Sequence, residues 1–271
     1  MNKISLLFIL SVLITFSAYA QDDIKITHAP YLQNLGENEV TVVWTANKPS
    51  IGWVELAPDD GTHYYQTERP KFFNAKNGIK LTSTVHSVHL TGLKPDTRYR
   101  YRVYSQEVLS HVGWRVIYGN VAATSVYGKQ PLTFLTSDHG RQSVNFAMVN
   151  DIHGKSDVLE KLVSHCDLKK TDMFLFNGDM VSIFNNEKEI FEGFMDKATE
   201  LFASEIPMYY TRGNHETRGS FATAFQDYFS PKQEHIYYMF RQGPVCFVIL
   251  DSGEDKPDSD IEYSGITDYD N

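Results

Sequence analysis

Cysteine is scarce in this sequence, which has only two, Cys166 and Cys246, among 271 residues. A count this low leaves no disulfide framework, and it disfavours a soft metal site built from thiolates. Cys166 falls in a predicted helix and Cys246 in a predicted strand. The pattern favours two buried free thiols, although a single disulfide between them is the alternative.

Positive charge is also in deficit. The chain has 25 Lys and Arg residues against 34 Asp and Glu residues, which gives a net charge of −9 and a pI near 5.5. Overall charge of this sign repels phosphorylated polymers and supplies no basic footprint of the kind found in nucleic-acid-binding proteins. Any affinity for phosphate must therefore come from a local site.

Long hydrophobic runs are missing beyond residue 20. The first 20 residues read as a cleaved signal peptide, with Lys3 as the basic region, Leu6 to Phe16 as the apolar core and Ala18 to Ala20 as the cleavage site. The apolar run is short for a membrane span, and an uncleaved N-terminal anchor is the alternative. The sequence thus predicts a periplasmic or secreted protein with no membrane span after signal cleavage.

Residues 21–138 have the sequence pattern of an all-β domain. Composition allows one large or two ordinary domains, since 42% of the residues are hydrophobic and 13% aromatic. Short alternating runs are separated by Gly, Pro, Asn and Asp turns, as in an antiparallel sandwich. The predicted strands are Val40–Ala46, Ile51–Ala57, Val85–Leu90 and Arg98–Tyr104.

One segment of this domain resembles fibronectin type III domains. Leu90–Tyr99 is similar to their L-x-P-x-T-x-Y corner, in which Tyr99 would tie a loop to the next strand. Trp44 is expected to fill the core. His86 and His89 fall on opposite faces of one strand, which predicts ordinary side chains and not a shared metal ion.

Three aromatic residues of the same domain, Trp53, Tyr64 and Tyr65, could bind a sugar or a partner. Packing in the domain core is the favoured interpretation.

Residues 144–271 have a different organisation. Three apolar, strand-like runs, VNFAMVN, DMFLFN and PMYYTR, are separated by two segments with helical spacing. The helices are predicted at Ser156–Cys166, with Ser156 as N-cap, and at Glu187–Phe202. This β-α-β-α-β order predicts a parallel sheet with right-handed crossovers, whose ligands bind outside the carboxyl ends of the strands.

Polar clusters follow each of these three runs. Asp151 and His153 follow the first, Asp179 the second, and Asn214 with His215 the third. Carboxylate, imidazole and amide groups suit Mn, Fe or Zn. A carboxylate can bridge two ions, and a pair of ions about 3.5–4 Å apart activates water and clamps a phosphoryl group.

In this order, D-x-H, G-D and R-G-N-H-E resemble the first three motifs of the calcineurin-like metallophosphoesterases, and the β domain ahead of them resembles the purple acid phosphatase branch. The resemblance implies an α/β domain layered α/β/β/α and a binuclear centre of two divalent or trivalent ions. It implies Asp151 and His153 as ligands of one ion, Asp179 as the bridge, Asn214 on the second ion, His215 as leaving-group acid and Arg212 as a phosphate contact.

The sequence departs from the family pattern in two ways. The sequence contains no G-H-x-H motif, so about half of a binuclear site is expected and the C-terminal part of the domain is expected to be missing. His153 and Ser182 replace the glycine and the tyrosine that purple acid phosphatases use, and the tyrosine gives their iron its colour.

Beyond these motifs, a helix is predicted at Thr217–Phe229 and a hairpin around Arg241–Gly243. The favoured function is an exported metal-dependent phosphoesterase that hydrolyses phosphate mono- or diesters of small molecules with metal-activated water. The alternative is a non-catalytic binding or cell-surface module that keeps the fold.

Overall fold

The computed structural model describes residues 22–125, 130–138, 140–231, 235–257 and 260. The predicted signal peptide, residues 1–20, lies outside the described residues. Among the residues that are described, no helix combines the length and the apolar character needed to cross a membrane.

The first domain is all-β, as predicted. Its long second strand, β2, pairs with β1 and β6 mainly through residues 39–46 and with β3 and β7 through residues 50–58. β8 and β9 both pair with β7, and all these pairings are antiparallel. The strands are β1 Ile26–Gln33, β2 Glu39–Pro58, β3 Lys71–Phe73, β4 Ala75–Lys76, β5 Ile79–Lys80, β6 Thr82–Thr91, β7 Arg98–Val112, β8 Arg115–Ala123 and β9 Leu132–Leu135.

The continuity of β2 corrects the prediction of two separate strands at Val40–Ala46 and Ile51–Ala57. The chain does not turn between them; it changes partners, with a shift in register between Thr45 and Ser50. Side chains from both halves of β2 then meet in one core, where Trp44 packs with Val54. A strand shared in this way builds a sandwich without a loop at that position.

Two of the predicted structural roles in this domain are confirmed. Trp44 is fully buried, and its Nε1 donates to Oγ of Ser105 at 2.9 Å. The hydroxyl of Tyr99 accepts from the backbone N of Lys94 at 2.9 Å, so it ties the loop before β7 to that strand.

His86 and His89 lie on opposite faces of β6, as expected. His86 is fully buried, with Nε2 at 2.8 Å from Oγ of Ser50, whereas the side chain of His89 is 46% exposed and contacts Glu39 at 3.0 Å. Burial lowers the pKa of His86 to about 4 from its usual 6.5. Protonation of this imidazole is therefore disfavoured in the folded protein.

This shift predicts a pH-dependent loss of stability. The unfolded chain takes up a proton near pH 6.5 but the folded chain only near pH 4, so stability is complete above 6.5 and falls as the pH decreases toward 4. The loss is expected to reach roughly 3 kcal/mol. His86→Gln should flatten the dependence of the melting temperature on pH over this interval, and His89→Gln should not. Equal slopes in both variants would contradict this assignment.

The second domain is the predicted α/β unit. Its strands β10, β11 and β12 form a parallel sheet in sequence order, joined by helix α1 and by a second helix over residues 187–203. The elements are β10 Phe146–Val149, α1 Ser156–Val163, β11 Met173–Asn177, α-helical turns Glu187–Ile190 and Asp196–Ala198 alternating with π-helical turns Phe191–Met195 and Thr199–Ala203, β12 Met208–Thr211, short turns His215–Thr217, Ala222–Ala224 and Phe225–Tyr228, and strands β13 Tyr238–Gln242 and β14 Val245–Ile249.

Three of the four predicted layers are formed by the described residues. The second helix packs on one face of the parallel sheet, where Phe202 stacks on Phe174 with ring centroids 3.6 Å apart. The β13–β14 hairpin packs on the other face, where Phe240 stacks on Tyr209 at 3.7 Å. The order is therefore helix, parallel sheet, hairpin.

The predicted helix at Thr217–Phe229 is wrong. Only short turns form there, because its first residues pair with a distant segment: the backbone N of Phe184 donates to the O of Arg218, and N of Phe221 donates to the O of Phe184. Gly219 permits this contact, since a Cβ on it would lie 2.5 Å from the carbonyl oxygen of Phe184.

Smaller differences concern a helix cap and the cysteines. Ser156 is the first residue of α1 and Lys155 is the N-cap, which makes no side-chain cap hydrogen bond. Both cysteines are free, but the expectation that they are buried is wrong. Cys166 is half-buried just beyond α1, and Cys246 is exposed on β14.

Strand β1 joins the two domains. The hydroxyl of Tyr31 and Nε2 of Gln33 both donate to the backbone O of Tyr228, at 2.8 and 2.7 Å. Tyr101 on β7 donates to the O of Ser204 at 2.6 Å. Tyr31 also belongs to the main core of the α/β domain. The β domain therefore buttresses the scaffold that carries the polar strand ends.

Candidate metal centre

The polar residues after β10 and β11 are held by backbone hydrogen bonds. N of Asp151 donates to the O of Gly178 at 3.1 Å, N of His153 to the O of Asp179 at 3.1 Å, and N of Gly154 to the O of Met180 at 2.7 Å. Pairing between the two segments thus continues past the ends of the strands. The first two predicted clusters are fixed against each other by main chain alone.

Backbone strain is concentrated at this edge of the sheet. Asp151, His153 and Asp179 have φ values of 61°, 49° and 53°, and they are three of the six non-glycine residues with positive φ in the described part of the chain. Such conformations cost about 1–3 kcal/mol each and persist only where the surroundings enforce them. Their clustering makes this edge the candidate functional site.

The loop after β12 closes against the same edge through two glycines. A Cβ on Gly178 would lie 2.9 Å from the Cα of Gly213, and a Cβ on Gly213 would lie 2.3 Å from Oδ1 of Asp179. Neither position has room for a larger residue. The glycines of the G-D and G-N-H motifs therefore allow the polar residues after β11 and those after β12 to come into contact.

Glu216 binds the second and third loops together. Its carboxylate is fully buried; Oε1 accepts from the backbone N of Met180 and Val181 and from the hydroxyl of Tyr210, and Oε2 accepts from N of Asp179 and N of Gly213. These hydrogen bonds span 2.7 to 3.3 Å. Sequence reasoning assigned no role to Glu216, because its partners lie more than thirty residues upstream except for Tyr210 and Gly213.

The loops bring three potential ligands together. Atoms of His153, Asp179 and His215 that can bind a metal all lie within 4.8 Å of one another. The rings of the two histidines are 4.5 Å apart and nearly perpendicular. Oδ1 of Asp151 lies 2.8 Å from Nε2 of His153, which places a second carboxylate beside the group. This mixture of imidazole and carboxylate donors fits Fe, Mn or Zn.

His215 lies beside His153 and Asp179. Its Nδ1 is 2.7 Å from the carbonyl oxygen of Ser182 and so donates to it, while Nη1 of Arg218 lies 3.2 Å from Nε2. With the proton on Nδ1, Nε2 is the acceptor of the ring and contacts Arg218. The expectation that His215 stays off the metal remains a prediction. The role of His215 as an acid stays a prediction.

Arg212 and Asn214 are both engaged by an acidic segment. Arg212 donates to both carboxylate oxygens of Asp251, at 2.7 and 3.2 Å, and Nδ2 of Asn214 donates to Asp255 at 2.9 Å. Arg218 likewise donates to Glu254 at 2.7 and 2.6 Å. No local pattern in the sequence indicates these contacts, because the partners lie more than thirty residues apart. The metal and phosphate roles of Asn214 and Arg212 stay predictions.

The protein is expected to be colourless with any metal. Charge transfer to iron needs a phenolate ligand, and the position that supplies it in purple acid phosphatases is Ser182 here. Tyr210, which contacts Glu216, donates to that carboxylate at 2.7 Å, and burial raises the pKa of Tyr210 well above the usual value, which keeps it a phenol. A visible absorption band that survives dialysis of iron-loaded protein would contradict this prediction.

The fold and the ligand cluster together define a two-domain protein in which an α/β unit carries a candidate metal site at the carboxyl edge of its parallel sheet. Residues 144–267 match the calcineurin-like phosphoesterase family, and residues 28–118 match the purple acid phosphatase N-terminal domain. The second domain is therefore similar to calcineurin-like phosphoesterases, and the first is similar to the N-terminal domain of purple acid phosphatases.

One solved structure shows the same fold over most of the chain. A purple acid phosphatase from yellow lupin (Lupinus luteus) seeds is 18% identical with a TM-score of 0.62, and the match covers 88% of this chain and 47% of that one. The chain thus spans about half the length of that relative. The fn3 domain of human collagen alpha-1(XX) is 17% identical over 38% of this chain and 90% of that domain, with a TM-score of 0.25. No curated protein matches the sequence.

Proposed function

We propose that this protein is an exported metal-dependent phosphoesterase that hydrolyses phosphate mono- or diesters at a binuclear centre. The observation that carries the proposal is the convergence of His153, Asp179 and His215 on one point at the carboxyl edge of the parallel sheet. Ligands bind at this edge in open α/β sheets, so the donors lie where a substrate can reach them.

Each residue of the site has a proposed task. Asp151 and His153 would bind one ion, Asp179 would be shared by both, and Asn214 would offer its amide oxygen to the second. When bound, such ions supply Lewis-acid stabilisation of the phosphoryl oxygens and lower the pKa of water. The hydrogen bond from Nδ1 of His215 to the carbonyl of Ser182 fixes the ring. To act as the acid, His215 would have to carry a second proton on Nε2, as an imidazolium, and would deliver that proton to the departing alcohol.

The proposed substrate is a small phosphorylated molecule, in keeping with the net charge of −9, which disfavours polyanionic polymers. Arg212 is the proposed phosphate contact, provided that part of its guanidinium is released from Asp251. Periplasmic or secreted localisation is proposed from the signal-like segment at residues 1–20.

One observation favours the second candidate, a non-catalytic binding module. Arg212 and Asn214, the side chains proposed for phosphate and metal, are held by the carboxylates of Asp251 and Asp255. A protein that keeps these contacts in the presence of metal and substrate would retain the fold without turnover.

Hydrolysis of p-nitrophenyl phosphate separates the two candidates. Protein supplied with Mn, Fe or Zn is expected to release p-nitrophenol, and both a chelator and His215→Ala should abolish the release. Turnover no greater than that of His215→Ala with every metal, from protein that binds the metal, would favour the binding module.

A further inference from the structure

We propose that a hollow beside the metal centre binds the alcohol part of the phosphate ester, and that it accepts an uncharged aryl-sized group. The inference rests on the proposed phosphoesterase function and narrows its substrate class. It starts from a hollow of about 400 Å³ whose wall includes His153 of the ligand cluster. Small-molecule sites commonly have volumes of about 300–1,000 Å³.

The hollow lies beside residues that are proposed to act in the reaction. Its wall runs from His153 and Gly154 to residues 181–183 and to the start of the second helix. The carbonyl oxygen of Ser182, in that wall, accepts the hydrogen bond that orients His215. A group that fills the hollow therefore lies next to the imidazole that is proposed to protonate the departing oxygen.

Part of the wall of the hollow is apolar, since it includes Val181 and Ile183. Gly154 and Gly193 approach so closely that a Cβ on Gly193 would lie 3.3 Å from the Cα of Gly154 and 3.9 Å from Cγ1 of Val181. No side chain from either glycine therefore projects into the hollow. Ile183, which is 41% exposed, offers an apolar side chain that a bound ring would cover. Covering apolar surface is favourable by about 25 cal/mol per Å².

Charge on the wall selects against a second anionic group. The wall contains one lysine, Lys188, which lies on the second helix. Its Nζ is 3.4 Å from the carboxylate of Glu192. Glu189 accepts from the backbone N of Asn185 and Asn186 at the helix start. With one lysine and two glutamates, the wall offers no surplus positive charge for a second phosphate or a carboxylate. Nucleoside di- and triphosphates are therefore disfavoured, and aryl monoesters are favoured.

Two pairs of probes test this site. Turnover is measured with phenyl phosphate and methyl phosphate, and binding to metal-loaded protein is measured calorimetrically with the stable analogues phenylphosphonate and methylphosphonate. In binding, the protein is expected to prefer phenylphosphonate by about tenfold or more, the scale of an apolar contact. In turnover, phenol is also the better leaving group, so the change in the phenyl-to-methyl ratio between the parent and its variants is the quantity that reports on the hollow. Ile183→Asp should reduce the preference to about threefold or less, and Ile183→Ala should give an intermediate value.

Ile117→Asp is the matched control, because Ile117 is 42% exposed but lies on β8 in the first domain. It should keep the full preference. Equal binding of both phosphonates by the parent protein, or an unchanged preference in Ile183→Asp, would overturn the inference while leaving phosphoesterase activity intact. Absence of turnover with both esters would instead count against the proposed function, and a retained Ile183-dependent preference for phenylphosphonate would still support the hollow as a binding site.

Discussion

Replacing Glu216 by glutamine is expected to lower the free energy of unfolding by about 2–6 kcal/mol and to abolish metal binding. Both oxygens of this buried carboxylate accept from donors, so the amide nitrogen of glutamine must face at least two backbone N–H groups in either orientation. Each buried donor left without an acceptor costs about 1–3 kcal/mol. Asp179 and Gly213 would lose the contact that holds their loops together.

Denaturant unfolding and elemental analysis of the dialysed protein measure both effects. Glu200→Gln is the control, since it makes the same chemical change on a side chain that is 63% exposed and paired with Lys197 at 2.8 Å. The control should retain the stability and metal content of the parent. A Glu216→Gln protein that binds metal as the parent does would show that the loops keep their geometry without this carboxylate.

The Asp179→Asn protein is expected to bind less metal and to turn over on the order of a hundredfold more slowly, or slower still. This rate loss corresponds to several kcal/mol of transition-state stabilisation. As the proposed bridge, this carboxylate would contact both ions and neutralise part of their charge. The fold should survive, because asparagine tolerates the positive φ of 53° at this position. Loss of metal without loss of structure would then isolate the role of the charge.

Asp96→Asn provides a control with the same backbone constraint. Asp96 also has a positive φ, 46°, but lies exposed in the first domain before β7. Melting temperature and circular dichroism should match the parent for both variants, whereas metal content should fall only in Asp179→Asn. Parent-like metal content in Asp179→Asn would refute the bridging role.

Asn214→Ala should be less damaging than Asp179→Asn, because a neutral amide serves one ion and neutralises none of its charge. Its Nδ2 already donates to Asp255 at 2.9 Å, so removal also frees part of the acidic segment. Metal titrations of the two variants rank them directly. A lower metal content in Asn214→Ala than in Asp179→Asn would reverse the proposed assignment.

The sequence by itself determined the all-β domain, the β-α-β-α-β order that follows it, and the clusters at the strand ends. These features follow from local signals: alternating or helical spacing of apolar residues, and polar residues directly after an apolar run. Parallel strands put their carboxyl ends on one edge, so the order of the elements already places the polar residues after β10, β11 and β12 on the same edge of the sheet.

Only the tertiary structure decided the contacts between segments that lie far apart in the chain. The helix expected after Glu216 fails because Arg218 and Phe221 pair with Phe184, more than thirty residues upstream. The hydrogen bonds through which Glu216 holds two loops together depend in the same way on the backbone of residues 179–181. Helical propensity is worth less than about 1 kcal/mol per residue, so buried long-range hydrogen bonds decide such conformations, and no local pattern records them.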